Sequence, residues 1–545
     1  MAGGKLQILI RGNQDTPLIG NPQITFFKQI YRKHTNFSID SLRQTISGEP
    51  KFNAKYRIIF EHYGELLSNI YCHVNLPELN NSITNSEKKT EKTEETYLSW
   101  VNGIGYAIFE DLQFHIGDQL IDKQNGEWLF LNDQLEGKIN NNNSELYYNQ
   151  VVNTGTSKNN NYQMNSESFI KTGNVDTITG IVMPSNNTHS PTVKPNYECQ
   201  NLTNNQISFI TNFKFWFCKY RGCSLPLIAI PNLEVSLTVH NRPFNQLINC
   251  SNISSPSTSL LKNEYYNDET QTIDTYSYFD HFIFYGEYIF LDNDEKRRFA
   301  QNNHKYLIEQ IQQQTNINIL IDQCKGGYVN SDDQSQKYNK GCYEYNQFKL
   351  RLDFLNPIKF FVWVPHMNYN SYFNIKNSHY QEKIDNSVMS KTNNDSIFNS
   401  DKNCDCPVQT SCYNNNLFNY SMFRKDSINT SNELYLFDKA QLFMNNVPRT
   451  PNLPAKFYAN IFQKRYFNNV SNANYIYVYS FSLNPNDHQP SGSCNFSKVS
   501  NVFLNLNDLN LFKEFDYSNS VINLYACSYN ILTIQSGNCY AEFPF

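Results

Sequence analysis

A cluster of reactive side-chain types lies near the C-terminal end of the sequence. His488 could act as a base, and nucleophile types follow it within seven residues, at Ser491, Ser493 and Cys494. Nucleophilic catalysis needs the base within hydrogen-bond reach of the nucleophile and a third group that orients the base. No oxyanion motif or orienting partner is recognisable, and Pro490 and Gly492 indicate a turn. We therefore predict no catalytic site here.

Two further groups carry the side chains of a possible metal site. One, in an Asn- and Ser-rich stretch, consists of Cys404, Cys406 and Cys412. They could bind zinc or form a disulfide, but their spacing matches no zinc-ligand pattern and no fourth ligand is evident. The other consists of Asp292, Asp294 and Glu295. Acidic residues also favour the N-terminus of a helix, so we predict helix capping there. We expect no metal site and no cofactor.

These residues must be positioned by β-strands, because alternation of apolar and polar residues recurs along the whole chain. Strands are predicted at about 70–76, 112–116, 119–122, 213–217, 233–239, 348–354 and 475–483. Gly117-Asp118 offers a two-residue hairpin turn. Helical stretches are too few to supply the crossovers of a parallel sheet. We therefore predict an all-β protein built of antiparallel sandwiches.

Three helices are predicted. Asp292 and Glu295 form a variant capping box, and apolar residues follow along one side as far as Ile311. A second helix is predicted from Glu127 to Leu135. A third, short helix is predicted near the start of the chain, with Asn21 as its cap and Pro22 at its first position.

Composition excludes several classes of protein. The formal net charge of −5 argues against a basic face that grips nucleic acid. The small basic groups at 32–33 and 296–298 are interpreted as solvated helix faces. No apolar run approaches the roughly 20 residues that span a bilayer, and the N-terminus lacks a secretory signal. We expect a soluble chain made in the cytosol, with most of its 13 cysteines reduced and buried. Asparagine triplets at 201–203 and 252–254 match glycosylation acceptors by chance in so asparagine-rich a chain.

Polar stretches at about 138–205 and 366–430 interrupt the strand pattern, and a domain boundary is predicted near 241–275.

Six blocks of the sequence resemble a known protein family. GNPQITFFKQIYRKHTNF, residues 20–37, resembles the opening of the major capsid proteins of nucleocytoplasmic large DNA viruses, a group that includes algal viruses, iridoviruses and mimivirus relatives. The later blocks that resemble this family are VNGIG with IGDQLIDKQNGEW (101–128), FKFWFC with LPLIAI (213–230), 290–312, 348–364 and 479–497. The sequence departs from the family after Ser536-Gly537 and at the three clustered cysteines.

The resemblance implies a double jelly roll of two eight-stranded sandwiches. An arm at 1–26 would precede a first jelly roll at 27–245 and a second at 246–545, each with one of the long polar stretches as an outward loop. It implies homotrimers that form nearly hexagonal capsomers in an icosahedral shell. The implied partners are neighbouring capsomers, minor capsid and penton proteins, an inner membrane near the arm, and surface glycans or fibres.

Two alternatives remain at this point. One keeps the fold and makes the chain a paralogous minor capsid protein or an assembly scaffold. The other is a carbohydrate-binding or carbohydrate-active jelly roll, because stripes of Phe and Tyr could stack on sugars. Aromatic strand faces are more often core, and a hydrolase would need a pair of carboxylates that the sequence does not single out. We predict a structural protein and not an enzyme.

Overall fold

The fold is described from a computed structural model of the chain. It describes residues 21–76 (without 23–24, 29–30 and 32), 98–136 (without 102), 169–171, 193–195, 207–250, 264–267, 272–275, 279, 281–319, 347–366, 417–418, 420, 435–467, 475–509 and 521–543. The cluster at Cys404, Cys406 and Cys412, the start of the arm at 1–20 and most of the two polar stretches lie outside these residues.

Among the described residues, sixteen strands lie in the first part of the chain. They are β1 (Phe37–Arg43), β2 (Thr45–Ser47), β3 (Lys55–Phe60), β4 (Leu66–Leu76), β5 (Leu98–Trp100), β6 (Phe109–Ile116), β7 (Gln119–Gln124), β8 (Phe169–Lys171), β9 (Val193–Pro195), β10 (Ile207–Asn212), β11 (Leu225–Pro226), β12 (Val235–Asn241), β13 (Ile248–Cys250), β14 (Glu264–Asn267), β15 (Thr272–Thr275) and β16 (His281–Leu291). In β4 the buried and half-buried residues alternate, which is the pattern of a strand with one face in a core.

Eleven more strands lie in the described segments that follow. They are β17 (His304–Asn318), β18 (Gln347–Arg351), β19 (Pro357–His366), β20 (Phe437–Met444), β21 (Val447–Pro448), β22 (Leu453–Pro454), β23 (Tyr477–Ser480), β24 (Cys494–Asn495), β25 (Val502–Leu509), β26 (Val521–Gln535) and β27 (Asn538–Ala541). The α-helices are α1 (Ile104–Ala107), α2 (Gly126–Glu136), α3 (Trp216–Lys219), α4 (Asn293–Gln301) and α5 (Phe462–Phe467), with a π-helical turn at Phe457–Ile461. Of the helices in the described residues, none has the length and apolarity to cross a membrane.

The two parts of the chain repeat one topology. In the first, two sheets have the orders β1-β16-β4-β10 and β2-β3-β12-β6-β7. In the second, the orders are β17-β26-β19-β23 and β18-β25-β20-β21. When the short strand β2 is left out, the two sheets of each part contain eight main strands. Numbering these along the chain gives the orders 1-8-3-6 and 2-7-4-5 in both parts, and the pairs are antiparallel. This is the strand order of a jelly roll, so the predicted double jelly roll is confirmed.

The longest connections leave from one end of the sandwiches, whereas those at 213–234 and 481–501 leave from the other. Because neighbouring strands are antiparallel, the connections after odd-numbered main strands lie at one end and the others lie opposite. The first end receives the connections at 77–108, 125–206, 242–280, 319–346 and 367–436. The opposite end has short ones, such as 61–65, 117–118, 352–356 and 445–446. We call these the long-loop end and the short-loop end.

Several local predictions are confirmed. The hairpin turns at Gly117-Asp118, where Gly117 adopts a φ of 58° that favours glycine. Helix α2 contains the predicted 127–135 segment. Asp292 caps α4, because its side chain accepts a hydrogen bond from the Asn293 amide at 2.8 Å.

Other predictions differ from the structure. The helix expected to reach Ile311 ends at Gln301, because residues from His304 pair with β26 along a 15-residue strand. Phe213, Phe215 and Phe217 were expected on a strand, but α3 begins at Trp216 and all three rings are buried in an aromatic cluster. Tertiary packing outweighs local pattern at both places.

The start of the chain and the domain boundary also differ from expectation. Asn21 has a φ of 51°, which is not the extended geometry of an N-cap, and residues 25–28 form a turn with Phe27 exposed. The predicted boundary at residue 245 lies inside the first sandwich, because β16 pairs with both β1 and β4. The first sandwich therefore extends to Leu291, because a jelly roll needs its eighth strand to join the first and third.

Candidate functional site between the two sandwiches

Helix α2, which follows β7, lies against the outer face of the β17-β26-β19-β23 sheet. Trp128 of α2 is fully buried and stacks on Phe360 of β19 with ring centroids 6.3 Å apart. It also packs against Tyr525 of β26 at 5.9 Å. Burial of so large a side chain stabilises the contact by about 2–3 kcal/mol.

A buried carboxylate anchors this helix near the long-loop end. Glu127 pairs with the His366 ring, and it accepts hydrogen bonds from Asn523 Nδ2 at 2.7 Å and from the Tyr525 hydroxyl at 2.5 Å. Burial alone would raise the pKa of Glu127. The charge and hydrogen bond of His366, with the other two donors, outweigh burial and lower that pKa to about 2. Glu127 is therefore ionised in the folded protein at neutral pH.

A second charged cluster lies towards the short-loop end. Lys359 of β19 is fully buried, pairs with Glu309 of β17 and donates to the Asp487 carbonyl at 3.0 Å. Lys219 of the first sandwich reaches the same Glu309 carboxylate at 3.4 Å. Burial would raise the pKa of Glu309, but the two lysines lower it, and Glu309 in turn raises the pKa of Lys219 despite burial. One carboxylate thus holds ammonium groups from both sandwiches.

Between these clusters, β7 lies against β17. The Asp122 carboxylate accepts from the Ile311 amide at 3.0 Å and from Gln124 Nε2 at 2.8 Å. Gln310 donates to the Ile121 carbonyl. Burial raises the pKa of Asp122 to about 6 against the effect of these donors.

The loop after β23 returns to the first sandwich and carries the histidine that the sequence singled out. The Tyr220 hydroxyl donates to the Asn486 carbonyl at 2.5 Å, and the Tyr220 ring lies 4.7 Å from the His488 ring. His488 Nε2 lies 3.1 Å from Cys223 Sγ. Burial raises the pKa of the Cys223 thiol, which disfavours the thiolate form that a cysteine nucleophile needs.

The other candidate side chains are used structurally. Ser491 Oγ lies 2.6 Å from Ser482 Oγ and accepts from the Asn484 amide at 2.9 Å, which closes the turn predicted around Pro490 and Gly492. Cys494 lies in β24, beside β19. The structure brings His488 to Cys223 rather than to these nucleophile types.

The acidic group at the start of α4 also serves the fold. Asp292 caps the helix, and Lys296 one turn later pairs with Glu65 at 2.7 Å. Across the described residues no group of three or more His, Cys, Asp or Glu side chains could hold a metal ion.

The charged residues at the interface were not identified from the sequence. The sequence contains one signal, because Lys359 interrupts the apolar run NPIKFFVWV. A lysine in a strand that is buried on both faces needs a partner of opposite charge. Its partner Glu309 lies 50 residues away, and Lys219, which binds the same carboxylate, lies 90 residues from Glu309, so the pairing needs the fold. The arrangement offers no exposed nucleophile or base. It fixes one sandwich against the other.

Comparison with known proteins agrees with this architecture. Residues 25–292 match the family model described as the major capsid protein N-terminus, and residues 295–539 match the large eukaryotic DNA virus major capsid protein. The chain belongs to this family of major capsid proteins. It is 27% identical to the major capsid proteins of Phaeocystis pouchetii virus and of Pyramimonas orientalis virus, with 98% of each chain covered.

A solved structure shows the same fold. A chain of the quasi-atomic PBCV-1 virus capsid superposes with a TM-score of 0.59 at 21% identity, covering 96% of this chain and 100% of that one. The junction between the two family models, at 292–295, coincides with the end of β16 and the start of α4. As a member of this family, the chain is a structural component of the virion.

Proposed function

We propose that three copies of this major capsid protein associate into a capsomer that tiles an icosahedral shell. The observation that carries the proposal is the repeat of one jelly roll twice in a chain, with both long-loop ends on the same side. Glu127, at the long-loop end of β7, contacts His366 at the long-loop end of β19. Lys219 contacts Glu309 near the opposite end of both sandwiches.

The two sandwiches of one chain are similar and parallel, so they form two of the six positions in a ring of sandwiches. Three chains complete this ring as a nearly hexagonal capsomer. Hexagonal capsomers pack side by side in a flat layer, which suits a large shell. An obligate trimer interface of this kind buries roughly 2,000–5,000 Å² or more.

The polarity of the strands supports an orientation in the shell. β1 begins at Phe37 at the short-loop end, so the N-terminal arm enters there, opposite the long connections. We infer that the stretches at 138–205 and 366–430 face outward, and that the arm, with exposed Phe26 and Phe27, faces inward. The arm would then meet minor capsid proteins and an inner membrane, and the outer loops would carry any glycans or fibres.

Neighbouring capsomers and penton proteins would contact the sides of the trimer. We further propose that the chain catalyses no reaction, binds no specific nucleic acid and is made in the host cytoplasm. The buried charges at the interface support a mechanical role, since their carboxylates and ammonium groups are already paired.

Light scattering on the purified chain tests the assembly. A mass of about 191 kDa, three times 63.6 kDa, is expected, and a stable monomer would refute the trimer. Limited proteolysis is expected to cut first within 138–205 or 366–430, whereas early cuts inside β12 or β26 would contradict the strand assignment. The copy number in purified particles separates a major shell protein from a paralogous minor component.

A further inference from the structure

A pocket of about 460 Å³ lies where α4 is followed by β17, and it is lined by residues 298–299 and 302–306. We call it the α4 pocket. Helix α4 ends at Gln301 and β17 begins at His304, so only Asn302 and Asn303 join the helix to the strand. The volume falls within the range of roughly 300–1,000 Å³ that is typical of ligand sites.

Three stacked rings form one wall of the α4 pocket. The Phe299 ring stacks on the His304 ring with centroids 5.3 Å apart, and the His304 ring stacks on that of Tyr306 at 6.0 Å. His304 Nε2 donates a hydrogen bond to the Phe299 carbonyl oxygen at 2.7 Å, which fixes the middle ring. All three side chains are half-buried, so the wall is already formed and still exposes ring surface to a ligand.

The α4 pocket also has a positive charge that the fold does not use. Two of its side chains, Arg298 and Lys305, are cationic. Lys305 Nζ lies 2.7 Å from Glu542 Oε1, so its charge is compensated. Arg298 is exposed, and within the described part of the chain its guanidinium forms no ion pair. The acidic side chains in the first turn of α4 do not line the pocket. One guanidinium and the side-chain amides at 302–303 are therefore available to an anionic ligand.

We propose that the α4 pocket binds an acidic segment of another protein, through a carboxylate on Arg298 and an apolar side chain against the ring wall. A planar guanidinium matches a carboxylate with two parallel hydrogen bonds. Half-exposed rings gain free energy when an apolar group covers them. Because β16 ends and β17 begins at the short-loop end, the pocket lies at the end that we infer to face inward. The inward position of the bound protein rests on the proposed function, whereas the chemistry of the pocket does not.

Two other occupants fit the α4 pocket less well. The chain's own residues 1–20 contain Lys5 and Arg11 against the single acidic residue Asp15, so their net charge has the wrong sign. Anionic lipid surfaces are recognised by clusters of about 4–8 Lys and Arg. The α4 pocket has two cationic side chains, and Glu542 compensates one of them. A single available guanidinium in a recessed site favours a peptide carboxylate over a lipid surface.

Fluorescence anisotropy with labelled hexapeptides tests the proposal on the purified full-length chain. The acidic probe DEFDEF is expected to bind, more weakly as salt increases, and the neutral probe NQFNQF is expected not to bind. Arg298→Gln should raise the Kd for DEFDEF about tenfold or more, as the loss of hydrogen bonds between charged groups does. Arg297→Gln is the matched control, because Arg297 is exposed on the same helix but does not line the pocket. It should leave the Kd close to wild type, and both variants should keep the circular dichroism of wild type.

A variant that should gain affinity keeps the proposal testable even if Arg298→Gln folds poorly. Glu542→Gln removes the charge that compensates Lys305, while the glutamine oxygen can still accept the hydrogen bond from the Thr533 hydroxyl. A second cation then becomes available in the pocket. The Kd for DEFDEF should fall about two- to fivefold, the effect of one exposed charge pair. Misfolding cannot produce such a gain.

The opposite results would overturn the inference. Equal losses in Arg298→Gln and Arg297→Gln would indicate diffuse charge attraction in place of a pocket. Tight binding of NQFNQF, or an unchanged Kd in Glu542→Gln, would contradict recognition of carboxylates. Phosphatidylserine vesicles that bind wild type but not Arg298→Gln, without binding of DEFDEF, would assign the site to lipid. Failure of trimeric wild type to bind DEFDEF at millimolar concentration would remove the proposed site and leave the trimer intact, whereas a monomeric wild type would overturn the proposed function itself.

Discussion

Replacing Lys359 with methionine tests the charged cluster between the sandwiches. Lys359 is fully buried, and its ammonium group pairs with Glu309 and lies 5.5 Å from the centre of the Tyr529 ring. Methionine fills a similar volume without the charge. Glu309 would keep only Lys219, at 3.4 Å, as a cationic partner.

Breaking a buried ion pair at one side costs about 3–5 kcal/mol, because the remaining charge is left uncompensated. Lys219 still neutralises part of the Glu309 charge, so we expect a cost near 3 kcal/mol. For a domain of about 250 residues, that cost lowers the melting midpoint by roughly 6–12 °C. Differential scanning calorimetry or fluorimetry measures the shift.

The cost should depend on pH in a defined direction. The folded pKa of Glu309 lies below its ordinary value, so its ion pairs stabilise the protein above pH of about 4.5 and lose that contribution as pH falls. In the variant, Lys219 alone opposes burial, so we expect the pKa of Glu309 to be higher than in wild type, and a protonated Glu309 needs no cation. The difference in melting midpoint between wild type and Lys359→Met should therefore be largest near pH 7 and should shrink towards pH 5.

Two companion variants decide the interpretation. Lys305→Met removes the same type of pair on the surface, where Lys305 and Glu542 lie 2.7 Å apart, and should leave the midpoint close to wild type. The double variant Lys359→Met/Glu309→Met should recover part of the loss, because the uncompensated Glu309 carboxylate is gone, whereas Lys219 then loses its carboxylate partner. A Lys359→Met midpoint equal to wild type, or a loss that stays constant from pH 7 to pH 5, would refute the reasoning.

Three more predictions follow from the same interface. Gly126→Ala should abolish soluble expression, because a Cβ at this position would overlap the Tyr106 carbonyl oxygen and lie 2.7 Å from the Phe109 carbonyl oxygen. Gly222 has open space around it, so the control Gly222→Ala should express normally. Trp128→Ala should cost about 3–5 kcal/mol in thermal unfolding and Trp128→Phe clearly less, and equal costs would contradict the stacking described. Glu127 has a folded pKa of about 2, so the stability of wild type over Glu127→Gln should fall as pH decreases from about 4.5, and a constant difference would exclude its ion pair as the cause.

Much of the fold could be predicted from local pattern. Alternation located β4, β6 and β12, and the hairpin at Gly117 followed from turn chemistry, because side chains of a strand with one buried face must alternate. Prediction failed where packing overrides pattern. Residues 304–311 fit a helical stripe, yet they form β17 because the eighth strand, β26, offers a partner along their whole length.

The sequence by itself determined the family, the all-β class and the absence of a recognisable catalytic motif, since these depend on residue types and spacings along the chain. The tertiary structure decided the interface. Lys219, Glu309 and Lys359 are far apart in sequence, and although Lys359 interrupts an apolar run, nothing in the local sequence pairs it with the other two. Only folding buries them together. Strand pairing and burial depend on contacts across the chain, which local sequence does not contain.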